Sequence, residues 1–62
     1  MTTNEEFNEL RKKHDIGIAE AARMMDASLN TVKCWTASTD SVNYRRLPPY
    51  ALKLFKLMVA KR

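Results

Sequence analysis

Glycine and cysteine occur once each in these 62 residues, as Gly17 and Cys34. One glycine leaves no glycine-rich loop to cradle a phosphate. One cysteine excludes an internal disulfide, and Cys34 with the single histidine, His14, falls short of the four ligands of a structural zinc site. No apolar run approaches the roughly 20 residues of a membrane-spanning helix, and the N-terminal segment has no signal-peptide pattern. Neither a carboxylate pair nor a nucleophile with its base can be assembled from the residue spacing, so catalysis lacks its parts. The expectation is a non-enzymatic protein without cofactor, metal or small-molecule ligand, working in a reducing cytoplasm where a free thiol persists.

Acidic residues are scarce in one half of the chain. Residues 1–30 carry four basic and six acidic side chains, a net charge of −2, whereas residues 31–62 carry seven basic side chains against Asp40 alone, a net charge of +6. A basic half is the electrostatic footprint of a polyanion binder, although lysine-rich solvated faces alone produce the same balance. The length allows one domain, covering residues 1–62, with no internal repeat, low-complexity segment or linker. A chain of this size buries only about 60% of the surface its unfolded form exposes. Small domains usually add a disulfide, a metal or oligomerisation. With the first two excluded, oligomerisation remains.

What is present reads as an all-α domain of four to five helices. Thr3 and Glu6 fit a capping box that opens a first helix running to about residue 13, with Phe7 and Leu10 on its inner face. Asp15, Ile16 and Gly17 break that helix, and Gly17 caps a second over residues 18–25, whose inner face is Ala21, Ala22 and Met25. Asp26 occupies the following turn, where positive φ favours glycine and Asp tolerates it better than most residues. Ala27 packs inward. Ser28 caps a third helix over residues 29–36, with Val32 and Trp35 directed to the core. Residues 37–43 are polar and read as a loop. Pro48 and Pro49 then open a last helix to about residue 60. The expected shared core is Phe7, Leu10, Ala22, Met25, Val32, Trp35 and Phe55.

Helix, tight turn and second helix in IAEAARMMDASLNTVKCW, residues 18–35, form the pattern that places a helix in the major groove of DNA. The third helix then carries the candidate base contacts. Asn30 can pair bidentately with adenine, Lys33 can reach guanine or a phosphate, and Leu29 can touch a thymine methyl. Cys34, on the same outer side and small enough to sit against a base, completes the candidate base-contacting set. Ser28, Thr31, Tyr44, Arg45 and Arg46 are the candidate backbone contacts. In the last helix, Ala51, Leu52, Leu54, Phe55, Leu57, Met58 and Val59 cover more of the circumference than the apolar stripe of a surface helix. The surplus predicts a homodimer through this helix, with Leu52, Leu57 and Val59 as interface residues. A fully packed terminal helix in a monomer is the alternative.

At AARMMDASLNTVKCW the chain resembles helix-turn-helix repressors of the phage repressor and Cro type, with Ala22, Met25, Val32 and Trp35 at the packing positions and Asp26 in place of the usual turn glycine. The downstream NYRRLPPYALKLFKLM is similar to small anti-CRISPR-associated regulators of phages and mobile elements. Together the likeness spans roughly residues 16–60. It implies a dimer that binds an inverted repeat in double-stranded DNA and represses its own operon in a bacterial host. The recognition face here lacks the arginine that some relatives use to read guanine. Two other functions fit the same sequence. One is a protein-interaction module such as an antitoxin, whose last helix covers a partner, and the other is an excisionase-like protein that bends DNA.

Overall fold

The computed structural model describes residues 2–61. Its helices are α1 (Thr3–Lys13), α2 (Ile18–Met24), α3 (Leu29–Thr36) and α4 (Pro49–Ala60), and the described residues contain no strand. The fold is all-α, as the sequence pattern predicts.

The sequence TTNEE holds the capping-box signature twice, and the register used lies one residue before the predicted one. Thr2 is the cap: its hydroxyl accepts from the Glu5 N–H at 3.1 Å, and the Glu5 carboxylate accepts from the Thr2 N–H at 2.9 Å. Thr3 and Glu6 are engaged elsewhere. The Thr3 hydroxyl donates to the Leu47 carbonyl, and Glu6 forms an ion pair with Lys56 of α4. Tertiary partners thus decide between two equivalent local caps.

The turns after α1 and α2 are built alike. Asp15 has φ 55° and Asp26 has φ 53°, both left-handed. After α1, the Asp15 N–H donates to the Lys12 carbonyl at 3.2 Å and the Ile16 N–H to the Arg11 carbonyl at 2.8 Å. After α2, Asp26 donates to Arg23 at 3.3 Å and Ala27 to Ala22 at 2.9 Å. These are two Schellman motifs, each satisfying carbonyls that a helix end leaves open. In each, the residue after the aspartate turns toward the core. Ile16 is buried there, and Ala27 packs against the buried cluster.

α3 is capped by Ser28, whose hydroxyl accepts from the Thr31 N–H at 3.1 Å. The loop that follows is made of serine-based turns. Ser41 N–H bonds Ser38 O at 2.9 Å, Tyr44 N–H bonds Ser41 O at 3.1 Å, and the Ser41 hydroxyl accepts from Asn43 N–H at 3.1 Å. Pro48 caps α4 and Pro49 is its first residue, where a missing N–H costs nothing.

α1 and α2 each pack against both α3 and α4. Phe7 of α1 joins the halves, meeting Phe55 at 4.7 Å between ring centroids (62° between planes) and Trp35 at 6.1 Å (79°). Both are edge-to-face arrangements, which ring quadrupoles favour. Each predicted core residue lies in or against this cluster, with Leu10 and Trp35 only half-buried. Ile16, Leu47, Ala51 and Leu52 belong to it as well. Asn4 is the one buried polar residue among those described. Its side chain donates to the carbonyls of Trp35 (3.0 Å) and Arg45 (2.9 Å) and accepts from the Leu47 N–H (2.9 Å). One amide therefore ties α1 to the end of α3 and to the segment 45–47. No helix among the described residues is long and apolar enough to cross a membrane.

Candidate nucleic-acid interface

No pocket is found among the described residues, and the candidate site is an exposed helix face. α3 offers one. Its inner side is set by Val32, fully buried, and by Trp35 against Phe7. That orientation leaves Leu29, Asn30 and Lys33 exposed together, over roughly 100° of the helix circumference at 3.6 residues per turn. Cys34 lies half-buried at the edge of this face. The Lys33 carbonyl accepts from the Thr36 hydroxyl at 3.0 Å, whereas the side-chain amide of Asn30 and the ammonium of Lys33 have no hydrogen bond or ion pair with a described residue and are open to a ligand.

The predicted backbone-contacting residues are less uniform. The Ser28 hydroxyl is held by its capping bond and by a 2.7 Å contact with the Thr31 hydroxyl. Thr31 is half-buried and lies on the side of α3 away from Leu29, Asn30 and Lys33. Its hydroxyl serves the start of the helix. Tyr44 is half-buried. Arg45 and Arg46 are both exposed. The Arg45 guanidinium folds back onto the Val42 and Tyr44 carbonyls at 3.2 and 2.8 Å. The segment carrying both arginines lies beside the C-terminal end of α3, because the Arg45 N–H donates to the Cys34 carbonyl at 3.2 Å. The exposed arginine segment thus follows the end of the helix that carries Lys33 in its last turn, and cations near a recognition helix are of the kind that suits a polyanion.

The outer face of α4 differs from the prediction in its membership. Leu52 is 7% exposed and forms part of the core, so it has no surface to offer a partner. Val59 is half-buried against the same core. The sequence pattern assigns the apolar surplus to Leu52, Leu57 and Val59, but periodicity alone does not fix which side of the helix the core takes. Tyr50 (76% exposed), Leu54 (40%) and Leu57 (55%) compose the surplus, spaced four and three apart on one stripe. Of the three predicted interface residues, Leu57 alone lies on it.

Asn4 escaped the sequence reading. The signal was a polar residue three positions before Phe7, on the inward stripe of an amphipathic helix. A residue there either breaks the core or has bonding partners, and Asn4 has three. No group of His, Cys, Asp or Glu among the described residues is arranged to hold a metal ion. Away from α3, the Glu5 carboxyl is held below its ordinary value, first by the hydrogen bond from the Thr2 backbone.

A scan against protein-family models, a search of curated proteins and a search of solved structures each return no match to this chain.

Proposed function

We propose that the protein is a helix-turn-helix domain that binds double-stranded DNA sequence-specifically and represses transcription. One observation carries the reading. A short α2, a left-handed turn at Asp26 and a serine-capped α3 leave Leu29, Asn30 and Lys33 as an exposed, chemically mixed face. An amide, an ammonium and an aliphatic group on one helix face match the donors, acceptors and methyl groups displayed in the major groove. α3 is then the recognition helix, and Lys33 with the arginine segment supplies phosphate contacts at its C-terminal end. In this reading two copies joined through Tyr50, Leu54 and Leu57 bind an inverted repeat with half-site centres about 10 bp apart. By the resemblance above, the regulated operon is the protein's own, in a phage or mobile element, and anti-CRISPR genes are the candidate neighbours.

The α4 stripe also favours a second reading, a module that covers a partner protein in the manner of an antitoxin. Sedimentation of the purified protein, with and without an inverted-repeat duplex selected from a random pool, separates the two. A 2:1 complex on the duplex supports the repressor. A monomer with no affinity for any duplex supports the partner-binding module.

A further inference from the structure

Arg45 and Arg46 are interchangeable in sequence and differ in the structure. The Arg45 guanidinium donates through Nη1 to the carbonyls of Val42 and Tyr44, closing the end of the loop. Arg46 is exposed and has no hydrogen bond or ion pair of its side chain with a described residue. Its flanking backbone, by contrast, is held on both sides. Before it, the Arg45 N–H donates to the Cys34 carbonyl (3.2 Å) and the Arg45 carbonyl accepts from Asn4 (2.9 Å). After it, the Leu47 N–H donates to Asn4 (2.9 Å) and the Leu47 carbonyl accepts from the Thr3 hydroxyl. The Leu47 side chain is fully buried.

We propose that Arg46 is a phosphate ligand held ready by this frame, that Asn4 is its positioning residue, and that Arg45 is a loop buckle making no phosphate contact. The proposal rests on the DNA-binding reading above. A guanidinium with all its donors open matches two phosphate oxygens at once. With the backbone fixed beforehand, binding orders only the side chain, which lowers the entropic cost of the contact. Asn4 also donates to the Trp35 carbonyl at 3.0 Å, in the last turn of α3. One side chain therefore sets the spacing between Arg46 and the Leu29–Asn30–Lys33 face, so a phosphate gripped by Arg46 fixes where α3 meets the bases.

The test is the salt dependence of binding to a fluorescently labelled random-sequence duplex, followed by anisotropy between about 50 and 200 mM salt. Arg46→Gln is expected to make the log–log slope shallower by about 0.9, the value for one phosphate contact. Arg45→Gln is expected to weaken binding at every salt concentration through a looser loop, with the wild-type slope retained. Asn4→Ala, with its helical content checked by circular dichroism, is expected to reproduce the slope of Arg46→Gln, and the double variant to be no shallower than either single one. If Asn4→Ala does not fold, Thr3→Val takes its place in the cycle. It removes one bond of the frame and is expected to weaken binding in the wild-type background and not in the Arg46→Gln background. Equal or reversed slopes for the two arginine variants overturn the division between them, and additive effects in the cycle overturn the positioning role. A folded wild type whose binding is absent or independent of salt overturns the DNA reading itself.

Discussion

α3 leaves Leu29, Asn30 and Lys33 outside, and α4 leaves Tyr50, Leu54 and Leu57. Both helices are amphipathic and both feed one core, α3 through Val32 and α4 through Ala51, Leu52 and Phe55. Their outer faces are matched to different surroundings. The α3 face carries groups that pair with hydrogen-bonding edges and anions. The α4 stripe is one in which water is the poorer neighbour, since burying apolar area is the main favourable term in association. Which residues face outward matters more here than how apolar a helix is overall. Leu52 and Leu57 belong to the same helix and the same residue type, and only one of them has a surface to offer.

That contrast gives the largest predicted effect. Leu52→Ala should lose about 2–5 kcal/mol, the cost of emptying a packed site. For a domain of this size, whose whole stability is about 3–9 kcal/mol, this approaches unfolding. Leu57→Ala should lose less than about 0.5 kcal/mol, and Leu57→Glu should abolish self-association while the melting temperature of the monomer holds. Thermal denaturation and sedimentation of the three variants read both effects. Equal losses at the two leucines would erase the distinction between the buried and open sides of α4.

On α3 the corresponding change is Asn30→Ala. It should weaken binding to the preferred duplex by about 1–3 kcal/mol, the worth of a bidentate base contact, with little change in melting temperature because Asn30 is exposed. A large loss of stability instead would mean that α3 faces the other way.

The two left-handed turns set how consecutive helices meet, Asp15 between α1 and α2 and Asp26 between α2 and α3. Replacing Asp26, or Asp15 at the equivalent position after α1, with glycine should raise stability by up to about 1 kcal/mol, which is a rise of roughly 4–8 °C in melting temperature for a small domain. A fall at either site would show that the aspartate side chain does more there than tolerate positive φ.

The smallest effect belongs to the cap of α1. Glu5 has a lowered pKa in the folded protein, so its contribution is present above the ordinary glutamate value and is lost as the pH falls through the lowered one. The acid limb of a melting-temperature profile should therefore be shallower for Glu5→Gln. An unchanged limb would remove the box from the stability of α1.

Much of this architecture was legible because local signals agreed with tertiary ones. Ser28 before an apolar-periodic segment, Asp26 at a turn and the Pro48–Pro49 pair each specify a boundary through backbone chemistry alone, and the helices begin and end there. The reading failed where two local solutions were equally good. Thr2 with Glu5 and Thr3 with Glu6 spell the same box, and contacts from Leu47 and Lys56 select between them. It also failed where a residue acts through distant partners. Asn4 bonds residues 31 to 43 positions away in the chain, a set that no local window contains. Ile16 and Leu47 sit in connecting segments without periodicity, so their burial follows only from the closure of the fold. On the α3 face, Leu29, Asn30 and Lys33 were legible from the phase of Val32 and Trp35. The unequal states of Arg45 and Arg46 were not, because they depend on which carbonyls the loop turns inward.

The most direct test of the central claim, that the outer face of α3 reads DNA, is selection of bound duplexes from a fully randomised pool by the folded wild-type protein. The account predicts enrichment of an inverted repeat, with discrimination at one base pair of each half-site relaxed when the selection is repeated with Asn30→Ala. A folded protein that enriches no sequence, or an Asn30→Ala variant that enriches the same repeat with undiminished discrimination, would contradict it.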